Sequence, residues 1–191
     1  MAQLASEPRF TYGDYRQWHG DDRWELIDGV AFDMSPAPSR VHQDVVGGVF
    51  RQLADALDDG PCRVYVAPFD IRLPEGDEAD DEIMTVVQPD VSVICDPEKL
   101  DRAGCRGGPD FILEVGSPRT SARDRHQKRD LYERHGVREY WIVDPDSRSL
   151  VIHRLDPSSG QFAAAADGGA RGKTDIGVLP GVTIHWGRVF R

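Results

Sequence analysis

Two short runs of apolar residues constrain the fold of this chain more than any other feature of its sequence. Val91–Cys95 and Phe111–Val115 are five residues long, and each contains only one polar or charged residue. Runs of this length and composition are typical of strands in the middle of a sheet that is covered on both faces. The two runs therefore predict a buried central sheet with helices packed against it.

The rest of the chain alternates between predicted strands and helices. The segment Trp24–Phe32 predicts a hairpin with its tight turn at Asp28-Gly29. Apolar spacing then predicts the helices Val41–Leu57 and Asp124–His135 and the strands Glu139–Asp144 and Leu150–Leu155. The acidic stretch Glu75–Glu82 is expected to form an exposed, mobile loop. This alternation predicts an α/β or α+β fold, with a mixed central sheet flanked by helices.

Length and composition predict how the chain is organised. A chain of 191 residues that is 39% hydrophobic can bury one sizeable core. We expect one domain over residues 1–191, with a core over 10–155 and C-terminal strands over 156–191. No apolar run approaches the roughly 18 residues of a membrane-spanning helix, and no signal-peptide pattern is present, so we expect a cytoplasmic protein without membrane contact. Cys62, Cys95 and Cys105 are odd in number and lack CxxC spacing, so we expect them to be reduced.

The charge of the chain is unevenly distributed. A net charge of -10 argues against a protein that holds nucleic acid by an overall basic surface. Between Arg119 and Arg138, however, the sequence contains seven basic residues and only three acidic ones. Such a stretch is either an ordinary solvated surface or a local contact area for phosphate.

Two carboxylates lie where a charge is costly. Glu114 is near the end of one apolar run and Asp90 directly precedes the other. An ionised carboxylate in an apolar strand needs a compensating partner. Two strand-borne carboxylates can converge on one cation, and hard oxygen ligands suit Mg²⁺ or Mn²⁺.

Lys128 supplies a possible partner from the helix that follows Glu114. At about 100° per residue, Lys128 shares a helix face with Leu131 and Tyr132, the only apolar side chains of that helix. This face must pack on the sheet, so the ammonium either extends to solvent or points at buried carboxylates. The three residues then form either a structural salt-bridge network or a catalytic site. In a catalytic site, Lys128 would orient the attacking water and stabilise charge that develops on a phosphate.

Five segments in order resemble one known family. The order Pro89-Asp90, Glu114-Val115 and then a lysine resembles the PD-(D/E)XK nuclease superfamily, in the variant whose lysine lies on the next helix. The resemblance to the Uma-two family of endonucleases is closer, and it runs from about Phe10 to Leu155 over these segments: Trp24-Glu-Leu-Ile-Asp-Gly, Pro89-Asp90-Val-Ser-Val, Glu114-Val-Gly-Ser-Pro-Arg-Thr, Asp124-xxx-Lys128-xxx-Tyr132 and Gly136-Val-Arg-Glu-Tyr-Trp-Ile-Val-Asp144.

This resemblance implies a restriction-endonuclease-like fold, a divalent metal and a homodimer. It implies that Asp90, Glu114 and Lys128 are catalytic, and that Asp90, Glu114 and the Val115 backbone carbonyl hold the metal, with Glu25 as a further possible ligand. The expected reaction is hydrolysis of phosphodiester bonds, in DNA rather than RNA. The alternative is a catalytically silent protein that keeps the nuclease fold for binding or scaffolding.

Further residues are weaker candidates for substrate contacts. Arg119, Arg123 and Arg125 would lie next to the site and could contact phosphates. Lesser candidates are Gln127, Tyr132 and His42, for which a core or surface position is the competing interpretation. Asp70 is either another acid of the site or a strand residue that faces Arg72. Glu25 could instead form a salt bridge within its hairpin.

Overall fold

The computed structural model describes residues 8–20, 23–34, 37–116, 123–164 and 166–190, and for 123–125 it describes the backbone alone. These residues contain three α-helices: α1 Tyr12–Tyr15, α2 Arg40–Leu57 and α3 Arg129–Arg134. A π-helix, Arg123–Lys128, leads directly into α3. The strands are β1 Trp24–Ile27, β2 Val30–Asp33, β3 Arg63–Val66, β4 Ile71–Arg72, β5 Val86–Val87, β6 Val91–Ile94, β7 Leu100–Asp101, β8 Gly104–Arg106, β9 Phe111–Val115, β10 Glu139–Asp144, β11 Ser149–Asp156, β12 Gln161–Phe162, β13 Ala166–Gly169, β14 Lys173–Asp175 and β15 Thr183–His185.

A mixed sheet forms the centre of the molecule, as the two apolar runs predict. Its strand order is β12-β11-β10-β9-β6-β3, and β13 also pairs with β11. The middle strands β9 and β10 are parallel, whereas β6 and β11 run antiparallel to their neighbours β9 and β10. Every residue of β6 and β9 is buried. The prediction of a mixed, doubly covered central sheet is therefore confirmed.

A second sheet carries the N-terminal hairpin. Its order is β2-β1-β5-β4-β8-β7, and a separate pair is formed by β14 and β15. The predicted hairpin turn is confirmed, because Asp28 and Gly29 both have positive φ angles, of 51° and 80°. Turns of this kind match the twist of the strands they join.

The two faces of the central sheet are covered by different helices. On one face, Val45, Val49 and Leu53 of α2 pack against alternate residues of β6, β9 and β10, together with the C-terminal segment. On the other face, Leu131 and Tyr132 of α3 pack against the intervening residues of the same strands. This alternation follows from the two-residue period of a strand. None of the described helices is long and apolar enough to cross a membrane.

The acidic stretch differs from its predicted form. Asp80–Glu82 forms a short 3₁₀-helix, and the Asp80 carboxylate binds the guanidinium groups of Arg72 and Arg106. The side chain of Arg72 is buried and also donates to Asp101 at 2.6 Å. A buried guanidinium needs such acceptors, so it fixes part of a stretch that composition alone predicts to be mobile.

The prediction of three reduced cysteines was wrong for two of them. Cys62, directly before β3, and Cys95, directly after β6, form a disulfide and are 33 residues apart in sequence. The register of these strands pairs Arg63 with Ile94, which brings the two cysteines opposite one another. Cys105 is free and buried, and burial raises the pKa of its thiol to about 11. Sequence spacing could not indicate the bond because it depends on the register of two separate strands.

Replacing both bonded cysteines by serine, Cys62→Ser/Cys95→Ser, is expected to lower the free energy of unfolding by about 2–4 kcal/mol, since the bond closes a loop in the unfolded chain. Urea unfolding would measure this loss, and reducing agent should destabilise the wild type without affecting the double variant. Thiol titration of the denatured, unreduced protein should detect Cys105 alone. Three reactive thiols would contradict the disulfide and agree with the sequence-based prediction that all three cysteines are reduced.

Candidate active site

The candidate site is built around the ammonium group of Lys128. Its Nζ donates to Glu114 Oε1 at 2.6 Å and to Glu25 Oε1 at 3.0 Å. All three side chains are at most 6% exposed. A charge this far from water requires such close pairing, so the alternative in which the lysine extends to solvent is excluded.

Three separate elements bring these residues together. Glu25 lies on β1 of the second sheet, Glu114 lies on β9 of the central sheet, and Lys128 ends the π-helix that covers this end of β9. Glu114 follows Ile112 on the face that α3 covers, as the alternation along β9 requires. The predicted packing of the Lys128 face against the sheet is therefore confirmed. Glu25 therefore pairs with a residue outside its hairpin, Lys128.

Tyr132 fixes the position of the Glu114 carboxylate. Its hydroxyl is fully buried and donates to Glu114 Oε1 at 2.9 Å. Burial, together with the nearby carboxylates of Glu114 and Glu25, raises the pKa of the Tyr132 hydroxyl well above its usual value. The hydroxyl therefore stays protonated and remains a hydrogen-bond donor to Glu114.

Asp90 lies at the open end of the site. The register of β6 against β9 pairs Val91 with Leu113, and it continues outward to Asp90 and Glu114. Asp90 Oδ2 accepts from the Val115 backbone N–H at 2.7 Å and lies 3.1 Å from His42 Nε2. The side chains of Asp90 and His42 are 18% and 17% exposed, so solvent reaches this part of the site. Because a carboxylate only accepts hydrogen bonds, Nε2 carries the proton in this contact.

Gln88 connects the site to a neighbouring polar cluster. Its backbone N–H donates to Glu25 Oε1 at 2.9 Å, and its side-chain amide donates to Asp70 Oδ1 at 2.8 Å and to the Tyr15 hydroxyl at 3.0 Å. Asp70 therefore neither joins the carboxylates around Lys128 nor pairs with Arg72. Sequence analysis missed Gln88, and its place two residues before Asp90 is the only signal that could have indicated it.

The remaining candidates belong to the π-helix and the segment before it in sequence. Gln127 is exposed on the π-helix beside Lys128. Arg119 lies outside the described residues, and for Arg123 and Arg125 only the helical backbone is described. Within the described part of the chain, no group of three or more His, Cys, Asp or Glu side chains is arranged to hold a metal ion.

Sequence comparison identifies the family. The model of the Uma2 family, described as "Putative restriction endonuclease", matches residues 12–174. This chain belongs to the Uma2 family. Its match spans the carboxylates, the lysine and the strands that carry them, and it confirms the resemblance found in the five sequence segments.

Two similar proteins extend this assignment. An uncharacterized protein of Synechocystis sp. (strain ATCC 27184 / PCC 6803 / Kazusa), slr1290, is 27% identical over 156 residues, which are 80% of this Uma2 chain and 78% of that protein. A solved structure, described as a putative nuclease belonging to DUF820 from Anabaena variabilis ATCC 29413, superposes with a TM-score of 0.72 at 14% identity. The superposition covers 95% of this chain and 97% of that one, so the predicted restriction-endonuclease-like fold is confirmed.

Proposed function

We propose that this Uma2 protein is a divalent-metal-dependent endonuclease that hydrolyses phosphodiester bonds of DNA, with Asp90, Glu114 and Lys128 as its catalytic residues. The observation that carries the proposal is the buried ammonium of Lys128, held between the Glu114 and Glu25 carboxylates. The family description and the nuclease fold support the same class of reaction.

The donor atoms fit a hard divalent cation. Three carboxylates, Asp90, Glu114 and Glu25, accompany one ammonium, so these four side chains carry an excess of negative charge. Mg²⁺ is commonly held by one or two carboxylates and keeps several waters, so a cluster of three protein ligands is not required. Asp90, Glu114 and the Val115 carbonyl would hold Mg²⁺ or Mn²⁺, with Glu25 as a further candidate ligand.

A bound divalent ion supplies a Lewis acid at the scissile phosphate and a means of ionising water near neutral pH. The residues of this chain supply charge stabilisation, orientation of the water and positioning of the carboxylates. Lys128 places a fixed positive charge where negative charge develops on the phosphate, and it orients the attacking water. Tyr132 and His42 act as positioning residues, because they hold the carboxylates of Glu114 and Asp90.

The polynucleotide would extend from the open side of Asp90. Arg119, Arg123, Arg125 and Gln127 belong to the basic segment before and within the π-helix and would contact backbone phosphates. A homodimer and a cytoplasmic location stay predictions that rest on the resemblance.

One observation favours the alternative of a silent scaffold. Lys128 is only 1% exposed, and its charge is paired with the Glu25 and Glu114 carboxylates. A purely structural network would look the same. A structural network and a metal site differ in their response to divalent ions, because only a metal site is stabilised by ligand binding.

Cleavage of supercoiled plasmid is expected with Mg²⁺ or Mn²⁺ and not with excess chelator. Asp90→Asn and Glu114→Gln should each reduce the rate by more than the roughly 10–100-fold typical of residues that only support metal ligands. The exposed Asp146→Asn is the matched control and should cleave like the wild type.

Thermal denaturation separates the two functions where cleavage is not seen. Stabilisation of the wild type by Mn²⁺ that is absent in Asp90→Asn would indicate a metal site with a special substrate. If the wild type neither cleaves DNA nor shows a metal-dependent shift in melting temperature, the nuclease function is excluded and the scaffolding function is supported.

A further inference from the structure

A groove runs along the outer side of α2, away from the core. Its helical lining includes Arg40, Asp44, Gly47 and Arg51, which share one face because they are four, three and four residues apart. The 3₁₀-helix Trp186–Arg188 and the next residue form the opposite side, through Arg188 and Val189. We call this surface the α2 groove.

Two adjacent glycines form the floor of the α2 groove in the middle of an 18-residue helix. A glycine in a helix interior is unfavourable relative to alanine. Packing explains the glycine at position 48, because a Cβ on Gly48 would lie 3.1 Å from the Val189 Cα. Packing does not explain Gly47, since a Cβ added there would meet nothing within 4 Å. The bare backbone at Gly47 therefore leaves open space in the floor of the groove.

The groove is basic although the protein is acidic. Arg40, Arg51 and Arg188 line it with one carboxylate, Asp44, which binds Arg40 at 2.5 Å. In the described part of the chain, neither Arg51 nor Arg188 forms an ion pair. Three acids beyond Arg51 end the basic stretch: Asp55, Asp58 and Asp59. From Arg40 to Arg51 the helix rises about 16 Å, which corresponds to about five base pairs of duplex.

The groove begins at the end of α2 from which His42 contacts Asp90. His42, which contacts Asp90, is only two residues from Arg40 in the first turn of α2. The side chain of His42 points to Asp90 while Arg40 lines the groove. Residues two apart on a helix point to nearly opposite sides. A duplex bound at Asp90 would therefore pass around the first turn of α2 and then follow the groove towards Arg51.

We infer that the α2 groove binds the sugar-phosphate backbone of duplex DNA next to the cleavage site, with Arg51 and Arg188 contacting phosphates and Gly47 allowing close approach of the backbone. This inference rests on the proposed nuclease function. It assigns the part of the substrate contact that lies outside the basic segment around Lys128.

The first test removes the two unpaired charges. Binding of a fluorescent 30-base-pair duplex in chelator would be measured by anisotropy at several salt concentrations for the wild type and Arg51→Ala/Arg188→Ala. The double variant should bind about 10–100-fold more weakly at 0.1 M salt, and its salt slope should fall by about 1.8, or about 0.9 for each lost contact. The control Arg9→Ala/Arg171→Ala removes two other exposed arginines and should keep the wild-type slope.

The second test fills the groove without changing its charge. Gly47→Gln replaces a poor helix former by a good one, so the melting temperature should rise by about 2–4 °C while duplex binding weakens about tenfold. Because the variant is more stable, unfolding cannot explain weaker binding. Under cleavage conditions KM should rise and kcat should stay unchanged, since neither Gly47 nor the two arginines lie among the catalytic residues.

The outcomes separate this inference from the proposed function. Metal-dependent cleavage by the wild type, with unchanged salt slope and affinity in the variants, would overturn the groove assignment alone. A change of sedimentation from dimer to monomer in Gly47→Gln, with unchanged duplex affinity, would also overturn it and assign the groove to a second copy of the chain. Failure of the wild type to bind or cleave any duplex would overturn both.

Discussion

Lys128→Met is expected to reduce the rate of metal-dependent DNA cleavage by about 10²–10³-fold, the usual effect of removing one group that stabilises transition-state charge. Methionine is an unbranched side chain only one atom shorter than lysine, but it brings no charge to the Glu114 and Glu25 carboxylates. The loss should appear in kcat, since the phosphate acquires its extra charge only as the reaction proceeds. Plasmid nicking under single-turnover conditions would measure it.

The chain offers a matched control for this substitution. Lys173 is an exposed lysine on β14, and Lys173→Met should cleave at the wild-type rate. Circular dichroism at the assay temperature must show that Lys128→Met is folded, and the rate is then expressed per folded molecule. A folded Lys128→Met protein that cleaves within a few-fold of the wild type would remove Lys128 from the catalytic residues.

The central part of the fold was predictable because its signals are local. Val91–Cys95 and Phe111–Val115 are too apolar to lie anywhere except in a covered sheet, and the structure buries both strands completely. The spacing of Lys128, Leu131 and Tyr132 fixes one helix face before any tertiary contact is known. Glu114 was recognisable as the acid opposite that face because its burial demands a partner.

The rest of the site depends on tertiary placement that no local pattern contains. Glu25 is 103 residues from Lys128 in sequence, and the two meet because the fold brings β1 of the second sheet next to the end of the π-helix. The same holds for Gln88, whose backbone N–H holds Glu25. The segment before α3 was predicted to be helical, but its π-helical winding was not, since hydrophobic spacing does not resolve this winding over six residues.

The proposed function would explain the uneven charge of the chain. The net charge of -10 excludes an overall basic surface, yet arginines lie on two elements that flank Asp90, the π-helical segment and α2. Phosphate contacts depend on charges within a few ångströms, because salt screens more distant ones over about 10 Å. An acidic protein can therefore bind DNA along a restricted path, with a salt slope set by the few arginines on that path.

The metal-free stability of Lys128→Met should fall by about 3–5 kcal/mol, since removing the ammonium leaves the Glu114 and Glu25 carboxylates buried without their common partner. Urea unfolding in chelator would measure this, with Lys173→Met as the exposed control.

Glu25→Gln should lessen the loss, and the cycle built from Glu25→Gln, Lys128→Met and the double variant should give a coupling energy of about 0.5–3 kcal/mol. Additive effects and a loss below about 1 kcal/mol would contradict a tightly paired buried site, because a surface salt bridge contributes no more than that. A large loss that Mn²⁺ reverses in Lys128→Met would show that a divalent cation can take over the neutralising role of the ammonium, which a structural salt bridge alone does not predict.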